Sequence, residues 1–175
     1  MIRALVDLEK NIRSAVELKE QLLQELIKRA QVELKALEDA AEANRSFATD
    51  QEFKAESKYD TRALEASYLA SAEAKRVEEL KLEIQILEEV DPLQSKKLGE
   101  ISIGALVQLE HQGNVRYYFL IPTAGGTILQ VGGLPVMVVS VFSPIGDGLI
   151  GLKVLDEFEI ETPKEVRSYK VVSFQ

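Results

Sequence analysis

No glycine occurs before Gly99 and no proline before Pro92, although the chain of 175 residues contains ten glycines and five prolines. A stretch of 91 residues without either, rich in Ala, Leu, Glu and Lys, suits long helices and little else. Residues 1–97 also carry 37 of the 50 charged side chains, and the remaining 78 residues hold only 13. That second part is rich in Val, Ile and aromatics interrupted by Gly, which is the composition of a sheet. The change falls at Asp91-Pro92-Leu93-Gln94-Ser95-Lys96-Lys97-Leu98-Gly99, a polar stop with proline just past a helix end. The expected fold is α+β: a helical half over residues 1–91, a linker over 92–99 and a β domain over 100–175.

Leu23, Ile27, Ala30, Leu34, Leu37, Ala41 and Asn44 are spaced 4-3-4-3-4-3, the seam of a helix packed on another helix. Leu5, Leu8 and Ile12 share the spacing but not the phase, so a slip is expected before Leu23, as at a stutter or a short extra segment. Val77, Leu80, Ile84 and Leu87 form a second seam. Two seams with a short connection imply an antiparallel helical hairpin, several tens of ångströms long at roughly 1.5 Å per residue.

The hairpin is expected to turn between 46 and 61. Thr49-Asp50-Gln51-Glu52 reads as one helix start and Tyr59-Asp60-Thr61 as another. Near the turn the side chains shrink to alanine (Ala40, Ala41, Ala63 and Ala66 among them), so a slender end is expected. Phe47, Phe53, Tyr59 and Tyr68 gather there and are expected to cap and stiffen it. If 50–62 is helical, Glu52, Glu56 and Asp60 form one i,i+4 stripe, and Lys54, Lys58 and Arg62 form another. A solvated charged face explains both stripes. The functional alternative is a carboxylate cluster of Asp50, Glu52, Glu56 and Asp60 that holds a divalent cation or a water for another protein's active site. Oxygen ligands of this kind suit Mg²⁺, which takes one or two carboxylates and keeps its waters.

In the second half, Gly104–Glu110 and Val115–Ile121 flank a hairpin turn at His111-Gln112-Gly113-Asn114. Leu134–Phe142 is apolar enough for a central strand. Ser143 and Pro144 supply the N-cap and first position of a short helix over Ile145–Leu152. Asp156–Glu161 and Arg167–Phe174 complete four or five antiparallel strands. His111 reads as a solvated turn residue, and Gly125-Gly126 and Gly132-Gly133 as loop and turn glycines rather than phosphate loops. No catalytic set is visible, so an accessory factor is expected rather than an enzyme.

Composition narrows the partners. With no cysteine and one histidine there is no disulfide framework and no thiolate or His-rich metal site. No apolar run approaches the roughly 20 residues of a membrane span, and no signal-peptide pattern opens the chain, so a cytoplasmic protein is expected. A net charge of −8 argues against free nucleic acid as the main partner.

Ser143-Pro144-Ile145-Gly146-Asp147-Gly148-Leu149-Ile150-Gly151-Leu152, then Asp156-Glu157-Phe158-Glu159-Ile160, Thr162-Pro163 and Tyr169-Lys170-Val171-Val172, closely resembles the Gre family of bacterial transcription elongation factors. The likeness spans most of residues 100–175, and that family also has an N-terminal antiparallel coiled coil. It implies a C-terminal domain with the fold of FK506-binding proteins, sitting on the rim of the secondary channel of bacterial RNA polymerase, with Ser143, Pro144 and Ile145 as docking residues. It further implies a coiled coil that enters the channel and brings tip acids, here Asp50, Glu52, Glu56 and Asp60, to the polymerase active site. Asp60 and Glu56 would then help bind a Mg²⁺ shared with the polymerase, the chain having no cofactor of its own. Nucleic acid would be met only through the elongation complex.

At the tip the sequence departs from that pattern. Cleaving members carry Gly-Asp-x-x-Glu-Asn-Ala-Glu-Tyr, whereas this chain has Tyr59-Asp60-Thr61-Arg62-Ala63-Leu64-Glu65-Ala66-Ser67-Tyr68. Asp60 fits the Asp position, but Ala63 stands where Glu is expected, and counting back from Tyr68 puts Leu64 there instead. Two functions therefore stay open: stimulation of transcript cleavage, or a non-cleaving regulator that occupies the channel. A prolyl isomerase is disfavoured because the chain has no Trp for the floor of such a site, and a plain coiled-coil adaptor because of the C-terminal motif.

Overall fold

The computed structural model describes the backbone of residues 2–50 and 62–175, and side chains from residue 16 except those of 44–64, 66 and 67. In chain order the elements are helix α1 (Ile2–Asp50), α2 (Arg62–Glu88), α3 (Gln94–Leu98), strands β1 (Leu106–His111), β2 (Asn114–Ile121), β3 (Ile128–Val131), β4 (Leu134–Ser140), helix α4 (Pro144–Leu149), and strands β5 (Glu157–Glu161) and β6 (Val166–Phe174). Two compact units result, one of residues 1–26 with 86–175 and the other of residues 27–85. The stretch expected as a linker holds α3, which Gly99 ends in the left-handed conformation (φ 73°).

In the unit of residues 27–85, the seam positions Ala30 and Leu80 are buried, and Ile27, Leu34, Leu37, Val77 and Ile84 are half-buried. Arg76 donates to Glu33 from Nε (3.0 Å) and Nη2 (2.8 Å), joining α2 to α1. In the other unit, Lys19 of α1 donates from Nζ to the Pro92 carbonyl, just beyond α2.

The slip in α1 does not lie where it was expected, and no separate segment precedes it. Carrying the 3-4 spacing of Leu5, Leu8 and Ile12 forward reaches Lys19, Leu22 and Leu26, all buried. The early phase thus runs on to the boundary between the units and overlaps the later phase at Leu23. α1 is one helix throughout.

The sheet has six strands in the order β3-β4-β2-β1-β6-β5, one more than the four or five expected. It is antiparallel except for β2 and β4, which run parallel with Tyr118 opposite Met137 and Leu120 opposite Val139. The short strand β3 was missed because Thr127-Ile128-Leu129-Gln130-Val131 is brief and lies between glycine pairs. Gly132 (φ 58°) and Gly133 (φ 79°) form the two-residue turn that pairs β3 with β4. One face gathers Val107, Leu109, Tyr118, Leu120, Val139, Tyr169 and Val171 into a core with Leu149 of α4. On the other face Phe119, Ile121, Leu129, Val136 and Val138 are also buried.

At the corner after α2, Asp91 accepts from the Leu93 N–H (2.8 Å) and from Lys97 Nζ (2.6 Å), and both bonds hold its carboxyl below the usual range. Ser95 of α3 and Ser102 are buried and bonded to each other through their hydroxyls at 2.8 Å. Gly104 (φ 83°) lies so close to this corner that a Cβ would come within 2.8 Å of the Asp91 carbonyl oxygen. Among the described residues no helix is long and apolar enough to cross a membrane.

Candidate functional site

The Ser-Pro-Ile-Gly segment starts α4, and each of its residues has a separate physical role. Ser143 is the N-cap. Its hydroxyl accepts from the Gly146 N–H (3.1 Å) and donates to the Ser140 carbonyl (2.7 Å), which ties the helix to the end of β4. Pro144 takes the first helical position, where its missing N–H is not needed. Gly146 is there because a Cβ would collide with the Ser140 carbonyl oxygen. Gly148 is there because a Cβ would lie 2.7 Å from the Phe158 ring. The sequence motif is therefore largely a packing device that brings α4 down on β4 and β5.

Of the three residues named for docking, Ser143 has both hydrogen-bonding functions occupied within the fold, Pro144 is exposed and Ile145 is half-buried. All three line a groove of about 710 Å³, bounded by the β2–β3 loop, β4, the start of α4 and the adjoining parts of β5 and β6. Met137, Ile145 and Ile160 give it apolar walls, and Phe142 stands at its edge with 86% of its surface exposed. Arg167 is the one charged residue in the lining. Neither Phe142 nor Arg167 was picked out from the sequence. Phe142 was read as the last residue of an apolar strand, but β4 ends at Ser140 and Phe142 falls in the turn that leads to α4.

A row of stacked rings backs this groove. Tyr169 lies between His111 (centroids 4.8 Å apart) and Phe158 (5.4 Å). His111 is not the solvated turn residue expected from sequence. The turn is confined to Gln112 (φ 51°) and Gly113 (φ 76°), so His111 ends β1 opposite Asn114 and donates from Nδ1 to the Ser168 carbonyl at 2.8 Å. Burial, with the Tyr169 phenol nearby, pushes the Tyr118 hydroxyl above its ordinary pKa, while Arg116 and Arg167 act in the opposite sense. The Arg167 guanidinium donates from Nε to Glu165 at 2.7 Å, and this bond, with Tyr169 nearby, raises its pKa further.

The tip acids are placed less fully. Asp50 closes α1, so Thr49-Asp50 belongs to the end of a helix and not to the start of one. The side chains of Phe47 and Asp50 and all of Glu52, Phe53, Glu56, Tyr59 and Asp60 lie outside the described residues. Tyr68, the one tip aromatic whose side chain is described, is 68% exposed. Among the described residues no group of three or more His, Cys, Asp or Glu is arranged to hold a metal.

The family described as "Transcription elongation factor, GreA/GreB, C-term" matches residues 94–175, from the start of α3 to the last residue of the chain. The C-terminal half of this chain is thus similar to the C-terminal domain of GreA and GreB. One curated relative, the transcription elongation factor GreA of Verminephrobacter eiseniae, is 29% identical over 100 residues. That match covers 56% of this chain and 60% of the length of the relative. Among solved structures, the GreA factor homolog Gfh1 of Thermus thermophilus is 20% identical, with 89% of this chain and 93% of that one covered at a TM-score of 0.36. A GreA/GreB factor from Nitrosomonas europaea is 21% identical over 50% of this chain and 64% of that one, at a TM-score of 0.33. At such TM-scores these two likenesses carry no argument. The likeness to Gre factors therefore rests on the C-terminal match and on the motif residues just described.

Proposed function

We propose that this protein is an elongation factor that binds bacterial RNA polymerase, with the C-terminal groove as its docking surface and the helical hairpin reaching into the secondary channel. The observation that carries the reading is the Gre match over residues 94–175, which ends in a groove walled by apolar side chains and edged by an exposed Phe142. Exposed aromatics beside a concave apolar surface are typical anchors of protein interfaces. The hairpin then serves as an arm, and Asp50, Glu52, Glu56 and Asp60 fall in the sequence between the end of α1 and the start of α2.

On this reading the tip acids act on the Mg²⁺ of the polymerase, with Asp60 and Glu56 as the metal-facing pair. Hydrolysis of backtracked RNA is phosphodiester chemistry of the two-metal kind, and the chain contributes carboxylates to it in trans rather than a complete active site. A second reading, a regulator that occupies the channel without cleavage, draws its support from Ala63, which stands where the cleaving pattern has Glu.

Transcript cleavage in a backtracked elongation complex separates the two. The wild-type protein is compared with a variant in which Asp50, Glu52, Glu56 and Asp60 are all alanine. Shortened RNA that disappears with the variant is the outcome expected of a cleavage factor. Absence of cleavage, together with competition against a known cleavage factor, would establish the channel-occupying regulator. Absence of both effects would overturn the polymerase reading.

A further inference from the structure

The groove differs electrically from the rest of the molecule. The chain carries a net charge of −8, and the sheet-forming half after residue 97 has eight acids against five bases. Yet the only charged residue lining the groove is a cation, Arg167. Arg116 stands close by on the same face: it precedes Tyr118 by two positions on β2, and Tyr118 is paired with Met137 of the groove wall. The three acids of the edge strand, Glu157, Glu159 and Glu161, alternate with Phe158 and Ile160 and so project from the opposite face.

Arg167 is ion-paired with Glu165 through Nε but keeps further N–H donors. Its Nε donates to Glu165 at 2.7 Å, and Tyr169 lies beside the same guanidinium. Tyr169 is itself clamped between His111 and Phe158. A guanidinium has five N–H donors, so the contact with Glu165 leaves others for an incoming group. Arg116 is exposed and has no ion-pair partner among the described residues.

We propose that the groove recognises an acidic, apolar-anchored segment of its protein partner. Such a segment buries an apolar side chain against Met137, Ile145 and Ile160 and sets a carboxylate on Arg167, with Arg116 strengthening the positive field. This rests on the polymerase-docking reading above and adds to it the chemistry of the partner's contact segment. A protein segment is favoured over nucleic acid because the apolar walls exceed what phosphate binding uses, and the acidic molecule as a whole repels a polyanion.

The test is binding of the full-length protein to purified bacterial RNA polymerase at low and at high salt, using three variants. Phe142→Ala reports on the groove, Arg116→Gln with Arg167→Gln on the charge, and Arg167→Lys on charge without the fork geometry. The double glutamine variant is expected to bind about fivefold or more weakly at low salt and to lose much of the salt dependence. Arg167→Lys should retain most of that dependence. Because both arginines are exposed, all variants should melt with the wild type. If Phe142→Ala weakens binding while the glutamine variant matches the wild type in affinity and salt dependence, the acidic segment is refuted and the docking reading survives. If the wild type fails to bind, or neither Phe142→Ala nor the glutamine variant has any effect, the docking reading itself falls. If the free protein instead binds single-stranded RNA in a manner lost with Arg116→Gln/Arg167→Gln, the rim belongs to nucleic acid and the proposal is overturned.

Discussion

Single residues in the α4 motif are constrained by contacts of only one or two atoms. Gly146 sits against the Ser140 carbonyl, which also accepts from the Ser143 hydroxyl. Replacing Gly146 with Ala requires β4 or α4 to move, because the obstacle is backbone and cannot swing aside. Gly146→Ala should therefore destabilise the protein by about 2 kcal/mol or more, in the range of overpacked sites. It should also weaken whatever the groove binds. Urea unfolding checks the first effect; a midpoint within error of the wild type would mean that α4 is not seated as described. The sequence displayed Gly146 as part of a motif, but its reason is invisible there, since the clash involves a carbonyl six residues earlier that only the turn after β4 brings back. His111 teaches the same lesson. Its place next to Gln112-Gly113 suggested a turn, whereas the ladder between β1 and β2 and the ring of Tyr169 hold it in a strand.

Among the elements, α1 shows how one periodic row can hide buried positions that lie in another phase. The 4-3 spacing identified Leu23, Ala30, Leu80 and Leu87 as buried, and they are. Lys19 was passed over because its charge argues for the surface, although the phase of Leu5, Leu8 and Ile12 leads straight to it. Its burial lowers its pKa to about 8, with Asp91 opposing the fall and Lys96 adding to it. In the unfolded chain the group ionises near 10.5, so between roughly pH 8 and 10.5 the unfolded state binds more protons than the folded one. The burden of burying the charge is therefore present below pH 8 and relieved as pH rises to about 10.5, and this residue's contribution to stability increases across that window. Lys19→Met removes the titration while keeping the volume. The difference in unfolding free energy between wild type and Lys19→Met should shift in favour of the wild type from pH 8 to pH 10. A constant difference would show that Lys19 is solvated in solution. Tyr118, whose pKa is raised by burial, works in the opposite sense above pH 10, which is why the variant comparison is needed.

At the scale of the whole molecule, the compact unit that contains the Gre-like segment is larger than the stretch that matches the family. It takes in residues 1–26 and the end of α2, and Gly104 packs within reach of Val90 and Asp91. A fragment of residues 94–175 loses these neighbours together with the Lys19–Pro92 contact. It should melt well below the full chain, by about 5 °C or more if 1–2 kcal/mol is lost from a domain of this size. Equal melting temperatures for the fragment and for the C-terminal transition of the full chain would show that the domain stands alone. Composition and periodicity by themselves determined the division into a helical and a β half, the buried rows of the helices and the helix start at Ser143-Pro144, because these are local properties set by backbone propensity and by spacing along one element. Strand order, the parallel pairing of β2 with β4, the burial of Lys19 and the gathering of Phe142, Ile145 and Arg167 around one groove were decided only in the tertiary structure. They depend on which distant segments meet, and a sheet records that in its ladder rather than in any stretch of sequence.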